Sequence, residues 1–315
     1  MLIYNHLFIN HNNFEFKMIT TEQHFNEAKD LLNFLCSWNN NLSGYVFRGH
    51  SDESFQLLPS VLRDNSRYLA DNQYPRTKVP GQLRNSDREW HQIQHERIIL
   101  RDFYKLADNH GLKVPNVEKL RNSLIGRYDY NFTQQGRIEW LSQDILEVAA
   151  LAQHYGIPTR LLDWSYDPFV SSYFAASGVT DDSGNLAVWC FNAEYLSTWL
   201  NLNSRLKLKL IIPPYSENSN LSAQRGLFTH MPVEFDFSNN DNASIPVDRT
   251  PLDIKLDNIL PPEPYTQNRE KYFKTHITML QSKRSSKILT STRLWGSPHL
   301  PGYKGIANQV MRKYK

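Results

Sequence analysis

The side chains best suited to chemistry gather in one stretch, "EVAALAQHYGIPTRLLDWS", residues 147 to 165. Gln153, His154, Thr159, Arg160, Asp163 and Ser165 crowd around a Gly156-Ile157-Pro158 turn, and Glu147 stands seven positions before His154, on a similar helical face. A histidine beside a helix C-terminus has its charged form favoured by the dipole, so His154 is suited to donate to an anion or to hold a carboxylate. Guanidinium groups bind phosphate through a planar fork, which makes Arg160 a phosphate candidate. "YVFRGH" offers another: Arg48 closes a strand just before Gly49, and a glycine there lets the backbone approach a ligand. The same residues also admit an architectural reading. His154 would then bond Asp163 inside the core, and Arg160 with Asp163 would form a buried ion pair that fixes the turn.

The elements around these residues follow from periodicity. "IEWLSQDILEVAALAQHYG" places Ile138, Leu141, Ile145, Leu146, Ala149 and Leu151 on one helical stripe and ends at Gly156, a C-cap glycine. "DWSYDPFVSSYFAA" starts a second helix, with Asp163 or Ser165 as N-cap, Pro168 in the first turn, and Ser171, Ser172, Ala175 and Ala176 small enough for close packing on a sheet. Upstream, residues 22 to 39 have helical spacing, "YVFRGH" alternates as a strand, and Pro59 opens a short helix. "REWHQIQHERIILRDFYKLADNHG" is a helix stopped by Gly111. Downstream, "GNLAVWCFN", "RLKLKLIIPP", "SAQRGLFTHMP" and "IKLDNIL" read as strands and "NREKYFKTHITMLQSK" as a helix. Helices crowd the first half and strands the second, so the expected class is α+β, a mixed or antiparallel central sheet with helices packed around it.

Composition narrows the function classes. A formal charge of +3, from 35 Lys and Arg against 32 Asp and Glu, lacks the strong basic field of a dedicated nucleic-acid binder. A local nucleic-acid face would fall on the basic stripe Arg205, Lys207 and Lys209 and on the Tyr- and Arg-bearing loops, although a solvated sheet face has the same pattern. The 2 cysteines, Cys36 and Cys190, fit reduced thiols in a cytoplasmic protein. No run approaches the ~20 apolar residues of a membrane span, so no membrane partner is expected; His6, Asn10, His11, Asn12 and Asn13 interrupt the apolar N-terminus, so no signal peptide is expected, with Met18 an alternative to Met1 as first residue. His91 and His95, four apart, are the only metal-like pair and lack a third ligand, so no metal is expected. Phosphate-loop, dinucleotide-fingerprint, zinc-protease and nucleophile-elbow motifs are all absent from the sequence.

"YVFRGHSDESFQLLPSVLR", "LEVAALAQHYGIPTRLLDWSYDPFVSSYFAA" and "LSAQRGLFTHMP" together resemble the FRG domain, a prokaryotic family named after the Phe-Arg-Gly that stands here as Phe47-Arg48-Gly49. The resemblance covers most of residues 40–235, with insertions near 64–88 and 112–138; residues 1–39 form an N-terminal segment and helix, and 236–315 an extension completing the domain. Within that extension, "KILTSTRLWGSPHLPGYKGIANQV" looks like the family's closing segment with an altered turn. The family's layout is similar to that of ADP-ribosyltransferases. That similarity implies that Arg48 holds dinucleotide phosphate, Ser165 steadies the nicotinamide side and Gln224 lies on the late strand. Where such enzymes carry Gln-x-Glu, this chain has Gln224-Arg225-Gly226. The carboxylate that stabilises an oxocarbenium-like centre must then come from Asp163 first or Glu147 second. The resemblance therefore implies an enzyme handling a nucleotide or NAD-like molecule, either an ADP-ribosyltransferase or an N-glycosidic hydrolase, with NAD as substrate and no cofactor required. Asp163, His154 and Glu147 would be catalytic. Arg48, Gly49, Gln153, Thr159, Arg160, Ser165 and Gln224 would bind, and the setting would be a toxin or phage-defence protein. Two alternatives stay open: a non-catalytic binding or sensing module, and nucleic-acid binding. The acceptor, protein or nucleic acid, and the oligomeric state are not specified by the sequence.

Overall fold

The two strands that carry Arg48 and Asp163 are neighbours in the middle of one sheet. In the structure, a computed structural model, the described residues are 20–36, 42–66, 87–117, 120–121, 137–179, 184–202, 207–212, 226–236, 245–259, 275–281 and 303–313. Along the chain, β1 (Thr20–Phe25), α1 (Ala28–Leu35) and β2 (Tyr45–His50) lead to α2 (Glu89–Asn109), β3 (Arg137–Trp140), α3 (Leu146–His154) and β4 (Leu162–Ser165). There follow α4 (Pro168–Ser177), β5 (Asn185–Asn192), α5 (Ala193–Leu202), β6 (Lys209–Ile211), β7 (Gly226–His230), β8 (Val233–Asp236), α6 (Leu252–Ile259), β9 (Thr275–Gln281) and α7 (Tyr303–Lys313). Seven strands form a mixed sheet in the order β1-β9-β5-β2-β4-β7-β6, and β3 with β8 forms a separate ribbon. Only β1 and β9 run parallel; the other neighbours are antiparallel. The class is α+β.

Alternation along β2 assigns its two faces. Val46 joins Leu162, Trp164, Trp189, Leu196 of α5 and Leu252 and Leu256 of α6 in one apolar cluster. Phe47 joins Leu31 and Leu35 of α1, Ala175 and Ala176 of α4, and Val188 and Cys190 of β5 in another. The sheet is thus covered on both sides. A third cluster packs α2, α3 and α7 around Trp140, Leu141, Ile157, Leu161 and Phe228. Burying each such large apolar side chain stabilises the fold by roughly 1.5–3 kcal/mol before the entropy of ordering is counted.

Local patterns yielded to tertiary pairing in four places. The helix expected over 22–39 begins only at Ala28, because Thr20–Phe25 is drawn into a six-residue parallel register with β9. Residues 137–140, expected to start a helix, pair with β8, and α3 begins at Leu146. "IKLDNIL" belongs to α6 rather than to a strand, since Leu252 and Leu256, four apart, both bury in the cluster under the sheet. Thr275–Gln281, expected as helix, is β9: it has the β-branched Thr275, Ile277 and Thr278 and two strands to pair with, β5 and β1. Helix α5 went unforeseen.

Candidate functional site

β2 and β4 share a single register pair, Phe47 with Ser165. Beyond it β2 keeps pairing with β5, Arg48 opposite Trp189 and His50 opposite Ala187, while β4 pairs with β7, Asp163 opposite Phe228. The sheet opens there. Arg48 bridges the opening: its Nη1 donates to the Asp163 carbonyl oxygen at 2.8 Å and to Asp163 Oδ1. One guanidinium thus satisfies a backbone acceptor left without a ladder partner on that side and pairs with a carboxylate at the same place.

His50 holds Arg48 in that pose. Arg48 Nε donates to His50 Nε2 at 3.1 Å, and His50 Nδ1 lies 3.0 Å from the Phe55 carbonyl oxygen. Because Nε2 must accept, Nδ1 carries the proton and the ring is neutral. Burial, and then the Arg48 charge, push its pKa down to about 3. The sequence signal for this contact is "FRGH", where Arg48 and His50 stand two apart on one strand face.

Asp163 is half in water. Its side chain is 59% exposed against 13% for Arg48. Desolvation opposes its ionised form, yet the Arg48 charge and hydrogen bonds outweigh it and hold the carboxyl below the usual carboxylate range. Gln153 Nε2 donates to the same Oδ1 at 3.4 Å, and Thr159 Oγ1 donates to Gln153 Oε1 while accepting from the Leu161 amide at 3.2 Å. A directed chain thus runs from Thr159 through Gln153 to Asp163.

The remaining predicted residues divide. His154 is half-buried at the end of α3 and makes no hydrogen bond to Asp163; its ring meets Tyr155 edge-on at 4.9 Å. Burial lowers its pKa and the Asp163 charge offsets only part, so the neutral ring prevails over the charged form that the helix dipole was expected to favour. Arg160 does not pair with Asp163. It donates through Nε to both oxygens of Glu96, at 2.8 and 2.9 Å, and through Nη2 to Glu89, with all three side chains at most 4% exposed. Its fork is occupied by α2, which leaves it poorly placed for phosphate. Gln92 Nε2 and Trp140 Nε1 donate to the same Glu96, at 2.9 and 2.7 Å. Glu147 is exposed in the first turn of α3, about 10.5 Å along the axis from His154, and joins no part of this cluster.

Ser165 is 6% exposed and accepts from the Asp167 amide at 3.0 Å, shaping the entry to α4. The N-cap expected at Asp163 or Ser165 is Asp167, which accepts from the Phe169 and Val170 amides at 2.8 and 3.4 Å; the two earlier residues are held extended in β4. Gly49 faces α4, not a ligand: a Cβ there would stand 1.9 Å from the Ser171 carbonyl oxygen. Gln224 lies outside the described residues, as does Arg205. Lys207 and Lys209, the rest of the basic stripe, are ion-paired with Glu234 and Glu139. Among the described residues no group of three or more His, Cys, Asp or Glu could hold a metal ion, and no helix is long and apolar enough to cross a membrane.

One further cation belongs to the cluster. Arg63 caps the 3-10 turn Ser60–Leu62, and its charge is felt by His50 and Asp163. A cavity of about 110 Å³ lies behind this turn, with Leu57, Leu62, Leu162, Thr229 and Leu252 among its lining; Arg48 and Asp163 are not.

No curated protein and no solved structure matches the chain. A family model does match, over residues 43–183, from just before β2 to just after α4, and within it fall Arg48, Arg63, Gln153 and Asp163. The family that this stretch of the chain matches is the FRG domain.

Proposed function

We propose that the opening between β2 and β4 is the active site of an enzyme that breaks an N-glycosidic bond in an NAD-like nucleotide, transferring the ADP-ribosyl group or hydrolysing it. The observation that carries this reading is the asymmetry of Asp163: Oδ1 is fixed by Arg48 and Gln153, while the rest of a half-exposed, ionised carboxylate faces solvent. Such a group stabilises a positive sugar carbon without having to reorganise. The bond from C1′ to the ring nitrogen would break with both electrons going to nitrogen, so that nicotinamide leaves neutral. Water or an acceptor nucleophile then adds to C1′ and passes its proton to His154, whose neutral ring accepts it. Arg48 Nη2, which has no hydrogen-bond partner among the described residues, is the donor offered to phosphate. Cytoplasmic location and a toxin or phage-defence setting belong to the same proposal.

The test is nicotinamide release from NAD, with candidate protein and nucleic-acid acceptors added. Wild type should release it, and Asp163→Asn should lower the rate roughly 10²-fold or more, while its melting curve shifts little because the pair is partly exposed. Equal rates for the two proteins, or no NAD-dependent product from wild type, would sink the idea.

A second reading, the non-catalytic binding or sensing module, is favoured by one observation: Arg160 is wholly engaged in a buried network with Glu89 and Glu96. On this reading the rest of the polar turn is architecture too.

A further inference from the structure

We infer that Arg63 is the phosphate grip of this site, its guanidinium fork, which has no partner among the described residues, acting with Arg48 to bind a pyrophosphate-bearing anion. The inference rests on the nucleotide reading above and adds the group that seats the nucleotide's charge. Three observations converge on it.

First, Arg63 is fixed in place. Its amide donates to the Ser60 carbonyl at 3.3 Å and its Nε to the Leu58 carbonyl at 3.0 Å, and it is half-buried. The turn before it is tied to the site: Ser60 Oγ lies 3.1 Å from the Thr159 amide, and the Val61 amide donates to the Thr159 carbonyl at 3.3 Å. Thr159 is the residue that orients Gln153 against Asp163.

Second, among the described residues Arg63 is an uncommitted cation of the cluster. Nε is satisfied, but Nη1 and Nη2 have no hydrogen-bond or ion-pair partner among the described residues. Every other arginine deep in this part of the fold has one: Arg160 takes Glu89 and Glu96, and Arg48 takes Asp163.

Third, the charges do not balance. Arg48 and Arg63 carry two positive charges beside one carboxylate, and His50 and His154 are held neutral by burial. Burial, and after it the Arg48 charge, destabilise the Arg63 cation. An anion bound by both arginines relieves both strains, and a planar guanidinium matches phosphate oxygens bidentately. Asp163 competes with that anion for Arg48.

The experiment is calorimetric titration of the full chain with inorganic pyrophosphate. Wild type should bind it, Arg63→Gln should weaken binding about 10-fold or more, and Arg63→Lys, which keeps the charge and loses the fork, should fall between them. Asp163→Asn should bind about 3-fold or more tightly than wild type, because a competing anion has gone. Binding to Arg63→Gln within two-fold of wild type, or weaker binding to Asp163→Asn, overturns the inference. If Arg63→Gln does not fold, having lost its bond to Leu58, Arg63→Lys decides: binding within two-fold of wild type overturns the inference. Pyrophosphate binding that depends on Arg63 without any cleavage of NAD would defeat the glycosidic reading and leave the anion grip standing. Cleavage of NAD with pyrophosphate indifferent to Arg63 would do the reverse.

Discussion

Replacing Gly49 with alanine adds one methyl group at the point where β2 and α4 come closest. The new Cβ would lie 1.9 Å from the Ser171 carbonyl oxygen, 2.8 Å from the Ala175 amide nitrogen and 3.0 Å from the Ala175 Cβ. Two of these three atoms are backbone, so no side-chain rotation removes the clash. Bringing the closest contact from 1.9 Å even to 3.0 Å requires α4 to lift by about 1.1 Å. Overpacking of this kind typically destabilises by 1–3 kcal/mol, about the same range as for other inserted methylenes. Lifting α4 also stretches the bond from Ser171 Oγ to the Phe47 carbonyl, 2.8 Å in the structure, whose loss adds roughly 0.5–1.5 kcal/mol. The expected destabilisation is therefore about 2–4 kcal/mol, read from the urea midpoint at unchanged slope. Arg48, the preceding residue, should shift with the strand and weaken its hold on Asp163. A Gly49→Ala protein as stable as wild type to within about 0.5 kcal/mol would refute the packing argument. If it also lost only ligand binding, the glycine would be serving a ligand's approach after all.

Arg160→Met should destabilise by about 3–5 kcal/mol, because it leaves Glu89 and Glu96 buried without their cation; a triple variant that also carries Glu89→Gln and Glu96→Gln should recover much of this in the same urea assay, and an Arg160→Met midpoint near wild type would show the network to be idle. Acid should unfold the protein early: His50, His95 and His230 have pKa values lowered from 6.5 to about 3 in the fold, chiefly by burial, so the unfolded chain binds the extra protons. Stability is complete above about pH 6.5 and declines as pH falls toward 3, by up to about 2 kcal/mol per histidine at pH 5; Glu89, raised by burial, offsets part of this, and equal urea midpoints at pH 7.5 and 5 would contradict it.

What could be read from the sequence was local. Tyr45–His50, read as a strand, is one, Gly156 has the positive φ of 93° expected of a residue closing a helix, and the small residues of α4 pack close on β2. What could not be read was pairing across distance. Arg160 and Asp163 are three apart and opposite in charge, which invites a local ion pair. The partners that won are 64 and 71 positions away on α2, because Leu161 and Leu162 direct successive side chains to different sides. Glu89 and Glu96 sit seven apart on a helix buried nearly all round, where amphipathicity gives no hint of which polar residues face inward. The edge strand β1 and its neighbour β9 depart from their local pattern for a related reason: each is defined by the strands beside it rather than by its own period.

The opening between β2 and β4 explains why charge collects where it does. A sheet interior tolerates a parted pair of strands only if something satisfies the backbone along the gap, and Arg48 does this for the Asp163 carbonyl. Holding the guanidinium there takes a neutral histidine on one side, and its charge is balanced by a carboxylate on the other, so His50 and Asp163 follow from the same geometric need. The arginine is therefore structural and chemical at once, and removing it removes both functions together. Asp163 is separable, being half-exposed and bonded to Arg48 through one oxygen, and Arg63 is separable because its fork has no protein partner among the described residues. Those two positions, rather than the Arg48 that marks the motif, are where function can be removed while the fold is kept.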